Sequence, residues 1–541
     1  MKSIKITVLN SSGEQIASVD GTRGKTILSI LQEQQIYLDA PCGGKGICKK
    51  CRVKVTYENF EAESGHTAPK ECLACRTVLE SDCTVQLSAA GTGEQIIAAV
   101  SENTNHGEDS FSQGREGQMQ GNRRGSGYRR SCTQNTDGYG IAVDIGTTTI
   151  AAALIHLPTG KQAGVMTGIN RQRMYGADVL TRIAAANDGK LAGLQKCLQS
   201  DLVQMFVSLL AKSHTAASSV KKIVIAANTT MCHLLLGYSC RTLGEAPFVP
   251  VDISLTKKTY REVFHASNLT AQVTILPGIS AFIGADIVAG IYACDLMKKK
   301  EDTLFLDIGT NGEMAVGGSS GFCAAAAAAG PVFEGGGISC GVPAVFGAVS
   351  HISIKPDGTV NHLEHIGESG DLFSFGGKRP VGICGAGVID LIAGLIESGI
   401  VDENGLLSEP YFSDGFPFGG GMRFMQSDIR AFQMGKAAIR AGIETIVSHY
   451  YGGEKSAFDI SLAGGFGAYM DTRNAVKTGL FPTDFTGRVK VVGNSALKGA
   501  IRYLREEDEE ALHLIVGSTE VITLAQETTF SDSYFQYMSF S

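Results

Sequence analysis

Four cysteines near the start of the chain have the spacing of a metal centre. Cys42, Cys48 and Cys51 lie in the run Pro-Cys-Gly-Gly-Lys-Gly-Ile-Cys-Lys-Lys-Cys, and Cys75 follows in Leu-Ala-Cys. Deprotonated thiolates are soft ligands that favour zinc and iron–sulfur clusters. A glycine-rich loop between clustered cysteines, followed by a distant fourth cysteine, is typical of a 2Fe–2S cluster. The sequence therefore predicts a redox-active iron site on these four residues.

The spacing resembles that of plant-type ferredoxins, although five residues separate the first two ligands where that pattern has four. Cys72 and Cys83 are alternative fourth ligands, but the Leu-Ala-Cys context favours Cys75. A structural zinc site is also open, because Cys72-x₂-Cys75 and Cys48-x₂-Cys51 could form two knuckles. The glycine loop and the strand pattern before it favour iron.

The elements around these cysteines fit a β-grasp ferredoxin domain over residues 1–90. Ile4–Leu9 and Gln15–Val19 alternate like the two strands of a hairpin. Thr26–Gln35 has the apolar spacing of a helix. Cys51–Thr56 and Thr84–Leu87 are predicted to be closing strands.

Residues 91–137 are predicted to form a flexible linker. Ser, Asn, Gly, Gln and Arg dominate residues 101–136, which carry too few apolar side chains to offset the entropy of ordering. About 36 such residues have an end-to-end distance of roughly 30–36 Å. We expect the cluster domain to move between docking sites, and the alternative is a passive spacer.

Two copies of Asp-Ile-Gly-Thr, beginning at Asp144 and Asp307, form a second set of candidate functional residues. Each copy follows an apolar strand and precedes another, which indicates two related halves. Glycine at such a turn lets N–H groups and hydroxyls approach phosphate oxygens, while the aspartate can hold Mg²⁺ directly or through water. A third apolar strand runs into Gly464-Gly465-Phe466, where backbone could lie against adenosine.

These three elements resemble the phosphate-1, phosphate-2 and adenosine motifs of the sugar kinase, heat-shock chaperone and actin superfamily. The resemblance implies a duplicated RNase H-like α/β fold that binds Mg-ATP between its halves. The halves would be residues 138–300, with a middle-domain insertion, and residues 301–541. Asp144 and Asp307 would be catalytic, organising Mg²⁺ and the attacking water. The implied nucleotide ligands are Gly146, Thr147, Thr148, Gly309, Thr310, Asn311, Gly464, Gly465 and Phe466.

The whole chain apart from the linker resembles the reductive activators of corrinoid-dependent methyltransferases. Four further stretches resemble sequences of that family, although Ala386 stands where serine is expected. They are Asn228–Gly237, Ala329–Gly335, Gly382–Gly387 and Val492–Ala496. The resemblance implies ATP-dependent one-electron reduction of a partner's cobalt from Co(II) to Co(I). It also implies a corrinoid-binding partner and an upstream low-potential electron donor, and it allows a homodimer.

Other functions remain open. A small-molecule kinase of the actin-like superfamily with a redox-sensing ferredoxin domain is the main alternative. A 2-hydroxyacyl dehydratase activator also couples ATP to electron transfer, but it uses a cluster shared between subunits. A chaperone-like binding module with a structural metal is a further alternative.

Composition limits the classes of partner. The 541-residue chain has a net charge of −7 and a pI of about 5.9, which argues against nucleic-acid binding. No apolar signal core or run of roughly 18 apolar residues is present, so we expect a cytoplasmic protein without a membrane partner. Cys232 and His233 are predicted to pack in a helix, and Lys436 and Arg440 to lie on a solvated face.

Overall fold

The computed structural model describes residues 3–57, 68–88, 138–367, 380–453, 458–485 and 488–540. The predicted linker at 91–137 lies outside the described residues. Among the described helices, none combines the length and apolar character that a membrane crossing requires.

The first domain is a β-grasp sheet packed on one helix. Its strands lie in the order β2-β1-β5-β3-β4, with β1 and β5 parallel and the other neighbours antiparallel. Thr26 caps the helix by accepting a hydrogen bond from the N–H of Ser29. The predicted hairpin, helix and closing strands are confirmed, and one strand was missed. The elements are β1 (Ser3–Leu9), β2 (Gln15–Thr22), α1 (Ile27–Glu33), β3 (Arg52–Tyr57), β4 (Lys70–Leu73) and β5 (Cys83–Leu87).

The first half of the body is built on a six-stranded mixed sheet ordered β10-β11-β9-β6-β7-β8. Its strands are β6 (Tyr139–Ile145), β7 (Thr149–His156), β8 (Lys161–Ile169), β9 (Val220–Ala227), β10 (Thr256–Thr259) and β11 (Gln272–Ile275). Its helices are α2 (Val179–Ala185), α3 (Leu191–Lys212), α4 (Thr229–Leu236), α5 (Arg241–Gly244), α6 (Tyr260–Phe264) and α7 (Ala285–Ala293).

The second half repeats this plan in a sheet ordered β21-β20-β12-β13-β14-β22. Its strands are β12 (Thr303–Ile308), β13 (Gly312–Gly318), β14 (Gly321–Ala327), β20 (Asp459–Ala463), β21 (Val489–Gly493) and β22 (Thr519–Val521). In each half an antiparallel meander of three strands is extended by two parallel strands on the side of the first strand. The shared order confirms the predicted duplication.

The second half also carries elements inserted between β14 and β20. Small sheets there are formed by β15 (Ala348–Ile354), β16 (Val360–His365) and β17 (Gly382–Ile383), and by β18 (Phe416–Gly419) and β19 (Met422–Phe424). The helices of this half are α8 (Gly385–Glu397), α9 (Tyr411–Asp414), α10 (Gln426–Tyr451), α11 (Thr472–Lys477), α12 (Ser495–Glu506), α13 (Glu509–Gly517) and α14 (Thr528–Gln536).

The two halves meet along a shared apolar core. It joins one face of each sheet to helices α7 and α12, with buried members such as Ala142, Phe305 and Leu504. The approach of the helices is close enough that a Cβ on Gly499 would lie 2.2 Å from the carbonyl oxygen of Ala289. The turns after β6 and β12 therefore face one cleft between the halves.

Candidate functional site

The structure brings four cysteine thiols of the first domain together. The Sγ atoms of Cys42 and Cys48 are 3.3 Å apart. Burial and a hydrogen bond with Cys51 raise the pKa of the Cys75 thiol to about 12, and negative charge at Cys42 and Cys48 adds to this rise. Thiols crowded in this way resist ionising together unless a cation compensates their charge. This donor set fits a cluster of positively charged iron.

Residues 41–51 form the glycine loop that carries the first three candidate ligands. The loop has the tight backbone turns that were predicted for wrapping around a cluster. Gly43, Gly44 and Gly46 all have positive φ, of 63°, 87° and 76°, which favours glycine. Burial opposes ionisation of Cys42, but hydrogen bonds from the backbone and side chain of Cys48 and from the backbone of Ile47 and Gly46 outweigh it and lower its pKa to about 7. The loop thus stabilises a thiolate before any metal binds.

Cys72 and Cys83 lie away from this group. Cys72 is on β4 opposite Val53, and Cys83 is a buried residue of β5. Both lie near Tyr57. Burial is the largest cause of the raised pKa of Tyr57, and negative charge at Cys83 and Cys72 raises it further. Within the described ranges, no three His, Cys, Asp or Glu side chains are arranged to hold a single metal ion. Cys72 and Cys83 are therefore placed beside Tyr57, whereas Cys75 lies with the other three candidate ligands.

A cavity of about 570 Å³ lies between the two halves of the body. It is lined by ten of the residues predicted to contact nucleotide or Mg²⁺, drawn from three separate segments of the chain. Phe466, the remaining one, begins a 3₁₀ helix that follows this wall and ends at Tyr469. The ten are Asp144, Gly146, Thr147, Thr148, Asp307, Gly309, Thr310, Asn311, Gly464 and Gly465.

The strand ends explain why these residues meet. Asp144 and Asp307 each lie one residue before the end of a strand at the centre of its sheet. The N–H of Gly146 bonds the carbonyl oxygen of Thr149 at 2.9 Å, which closes the first turn. Gly464 has a φ of 90°, and a Cβ there would lie 2.9 Å from Oδ1 of Asp307. Glycine is required at 464 because the third segment passes against the second aspartate.

The cavity is strongly acidic. Five carboxylates line it, those of Asp144, Asp286, Asp307, Glu313 and Glu334, and Lys498 is the one basic side chain in the described lining. Burial raises the pKa of Asp307 to about 8, helped by negative charge at Asp286, Asp144 and Glu334. Burial likewise raises the pKa of Asp286 to about 6.

Asp144 accepts a hydrogen bond from a neutral side chain of the second half. Burial raises its pKa to about 7, and a 2.7 Å bond from Nδ2 of Asn494 opposes that rise. A bare triphosphate would be repelled by so many carboxylates, whereas a divalent cation would neutralise them. Mg²⁺ is commonly held by one or two carboxylates together with substrate phosphates and water, not by a preformed cage. The donor set therefore fits a magnesium-bound nucleotide.

Glu334 joins the two phosphate turns. Its Oε2 atom accepts a 2.7 Å hydrogen bond from Oγ1 of Thr148 and a 2.5 Å bond from Oγ1 of Thr310. One carboxylate oxygen thus holds a threonine from each half. A phosphate that bound both hydroxyls would have to displace this carboxylate.

Sequence reasoning missed the roles of Glu334, Asp286, Asn494 and Asn228 in this cleft. Asn494 caps the start of α12 through Leu497 N–H and also donates to Asp144. Asn228 caps α4 and donates to Oγ1 of Thr147 at 3.2 Å. An asparagine before a helix indicates a cap. No local pattern indicates the bonds to Asp144 and Thr147, because these partners lie 350 and 81 residues away from the two asparagines.

The sequence predicted that one residue pair packs in a helix and that another lies on a solvated face. Cys232 and His233 are buried in α4, where Nε2 of His233 accepts from the N–H of Val251. Lys436 was expected on a solvated face, and that was wrong, since it is 1 % exposed and donates to the carbonyl of Ser539. Arg440 pairs with Glu444.

The fold and the cleft define a class of protein that joins a 2Fe–2S ferredoxin-like domain to a duplicated, actin-like body. Family models agree along the chain. Residues 9–80 match the 2Fe–2S iron–sulfur cluster binding domain, residues 139–299 the RACo middle region, and residues 301–541 the C-terminal, ASKHA domain of RACo. The chain therefore belongs to the RACo family.

Similar proteins cover most of the chain. The "corrinoid activation enzyme RamQ" of Eubacterium limosum is 26 % identical, covering 95 % of this chain and 96 % of its own. The "[Co(II) methylated amine-specific corrinoid protein] reductase" of Methanosarcina barkeri is 24 % identical over 74 % of this chain and 77 % of its own. A solved structure titled "Reductive activator for corrinoid,iron-sulfur protein" superposes with a TM-score of 0.67 and 25 % identity, covering 99 % of this chain and 98 % of that one.

Proposed function

We propose that this chain reduces the cobalt of a corrinoid protein from Co(II) to Co(I), drawing on ATP to drive the electron transfer. The observation that carries the proposal is the presence of two sites on one chain, four converging thiols and an acidic clamp between duplicated halves. The names of its relatives, which activate or reduce corrinoid proteins, support the same substrate.

The energetic need for ATP follows from the redox step. When bound, a plant-type 2Fe–2S cluster supplies one reversible electron at about −400 mV. Moving one electron uphill by 100 mV costs about 2.3 kcal/mol, and Co(I) is harder to reach than this source easily supports. ATP can contribute only by binding one state of the protein–partner complex more tightly than another. We propose that hydrolysis releases the complex after transfer and makes the cycle directional.

Different residues of the cleft would bind the Mg²⁺, the phosphates and the adenosine. Asp144 and Asp307 would hold Mg²⁺ and its water, while Thr148 and Thr310 would donate to phosphate oxygens in place of Glu334. Gly464 and Gly465 would let backbone lie against the adenosine. An upstream low-potential protein must return one electron to the thiolate-bound site after each transfer, so that electrons balance. Within the described residues the cysteines form no disulfide, and clustered cysteines without disulfides favour a reducing, cytoplasmic compartment.

The experiment compares the intact holoprotein with Asp307→Asn. The partner is a corrinoid protein of a methyltransferase system, prepared as Co(II), and Co(I) formation is followed by absorbance with and without Mg-ATP. We expect the variant to keep the 2Fe–2S spectrum and to lose ATP-dependent Co(I) formation and partner-stimulated ATPase activity. Normal activation by Asp307→Asn would overturn the ATP role. Partner-independent phosphorylation of a sugar or acid would favour the kinase alternative.

A further inference from the structure

The ferredoxin domain contacts the body at residues 170–182, called here the docking segment, and by a 3.4 Å hydrogen bond from Nε2 of Gln35 to the carbonyl of Gly193. Gln32 at the end of α1 donates from Nε2 to the carbonyl of Met174 at 2.6 Å. The Tyr175 hydroxyl donates to the carbonyl of Gln32 at 3.2 Å and accepts from Gln35 at 3.3 Å. Gln32, Met174 and Tyr175 are all buried. These buried hydrogen bonds form a specific interface between the ferredoxin domain and the body.

The same segment reaches the loop that carries the first cluster ligands. The N–H of Ala177 donates to the carbonyl of Pro41, the residue before Cys42, at 3.0 Å. A Cβ on Gly43 would lie 3.0 Å from the carbonyl oxygen of Tyr175. Arg173 and Asp39, 16 % and 9 % exposed, approach to 3.5 Å. One side of the cysteine loop therefore rests directly on the body.

The other face of the docking segment holds the phosphate-1 turn. Asn170, which is completely buried, donates from Nδ2 to the carbonyl of Gly146 at 3.0 Å, and its own N–H donates to the carbonyl of Thr148 at 2.9 Å. Arg182 donates from Nη2 to the carbonyl of Thr147 at 2.5 Å. Three successive carbonyls of the turn are thus fixed by the segment on which the ferredoxin domain sits.

Arg182 ties the two faces of the segment together. Its guanidinium is fully buried and also donates to the carbonyl of Gly176 at 3.0 Å and to Oε1 of Gln172 at 3.3 Å. None of its hydrogen-bond partners among the described residues is a carboxylate. A buried cation without an ion-pair partner is costly, so the placement of Arg182 depends on these hydrogen bonds. Its fixed, planar donors join the phosphate-1 turn to the turn beneath the cysteine loop.

We propose that the docking segment is a nucleotide-responsive docking site for this chain's own 2Fe–2S domain. Docking holds the phosphate-1 turn in its nucleotide-binding shape, and a bound nucleotide in turn holds the docking surface. The proposal rests on the proposed function, because it assigns a regulatory role to the same cleft. Such a coupling lets the ATP state decide whether the cluster is held on the body or released on its linker.

Thermodynamic linkage makes this testable in both directions. If docking tightens nucleotide binding, nucleotide must tighten docking by the same factor. Couplings of this kind change affinity by about 5–150-fold. Substitutions in the ferredoxin domain, on the far side of the docking segment from the cleft, should therefore weaken nucleotide binding without touching the nucleotide.

The first measurement is the Kd of a non-hydrolysable ATP analogue with Mg²⁺, by calorimetry on full-length holoprotein. We expect at least a fivefold weakening in the double variant Gln32→Ala/Asp39→Ala and in the body-side variant Tyr175→Phe. Arg23→Ala and Arg52→Ala are the matched controls, because both remove exposed ion pairs of the same domain, with Glu80 and Glu71. The 2Fe–2S absorbance of every variant reports that the domain is folded.

The second measurement is hydrogen exchange of residues 32–43 with and without the analogue. We expect slower exchange when the analogue is bound in the wild type, and no such change in Tyr175→Phe. Wild-type affinity in all docking variants, or exchange that does not respond to the analogue, overturns the proposal. A wild-type protein that binds no Mg-nucleotide would instead overturn the proposed function itself.

Discussion

At the scale of single residues, the choice between neighbouring cysteines can be tested directly. Cys75 shares its environment with Cys42, Cys48 and Cys51, whereas Cys72 lies near Tyr57. We predict that Cys75→Ser alters or abolishes the 2Fe–2S absorbance and electron paramagnetic resonance spectra, because a hard alkoxide replaces a soft thiolate. Cys72→Ser should leave both spectra unchanged. The reverse result would assign the fourth ligand to Cys72.

Glu334 allows a second prediction at this scale. Its carboxylate competes with phosphate for the hydroxyls of Thr148 and Thr310, and its charge repels the triphosphate. We predict that Glu334→Gln binds the Mg-ATP analogue severalfold more tightly, as measured by calorimetry. In the wild type, phosphate binding would free the Glu334 carboxylate from the two threonines. If that carboxylate then orients the attacking water, kcat for ATP hydrolysis is lower in Glu334→Gln by about 10²-fold or more. Weaker binding by this variant would show that Glu334 supports the nucleotide and does not compete with it.

At the scale of elements, local patterns carried much of the sequence prediction. The hairpin at the N-terminus, helix α1 and the two strand–turn–strand units follow from periodicity and glycine placement within about ten residues. Strand β4 was missed because it is short and pairs only through Val53 and its neighbours on β3. Glu334 was not assigned because its partners lie 186 and 24 residues away. Contacts over such distances along the chain depend on the tertiary fold, which local patterns do not show.

The packing of α7 on α12 gives an element-scale prediction. A methyl group at Gly499 would lie 2.2 Å from the carbonyl oxygen of Ala289, so the helices would have to separate. Overpacking of this kind costs on the order of 1–3 kcal/mol. We predict that Gly499→Ala lowers the thermal unfolding midpoint of the body by several degrees, as measured by calorimetry.

The matched control for that change is Gly517→Ala at the end of α13. An added Cβ there meets nothing within 4 Å, and alanine is the better helix former by up to about 1 kcal/mol. Its unfolding midpoint should be unchanged or slightly higher. Equal losses in both variants would mean that the helix contact does not limit stability.

At the scale of the whole molecule, the docking surface determines whether a ferredoxin domain docks on the body of its own chain or on that of another copy. The buried contacts of Gln32 and Tyr175 join the ferredoxin domain to the body of its own chain. Linking two modules in one chain raises their effective concentration, which reaches the millimolar range for short flexible linkers. Free copies of the protein in a micromolar assay cannot compete with that concentration, so each body is expected to use its own cluster.

This leads to a complementation experiment with two inactive proteins. The first is Cys75→Ser, used only as protein whose absorbance shows that the cluster is absent, so that it keeps the nucleotide cleft but supplies no electron. The second is Asp307→Asn, which should keep the cluster but lack ATP-dependent activation. Because docking within one chain outcompetes docking between chains, we predict that a micromolar mixture of the two forms Co(I) no faster than either alone. Raising both proteins towards millimolar concentration should restore part of the rate, since exchange between chains then competes. Full recovery at micromolar concentration would show that clusters are delivered between chains, as a homodimer with crossed ferredoxin domains would allow.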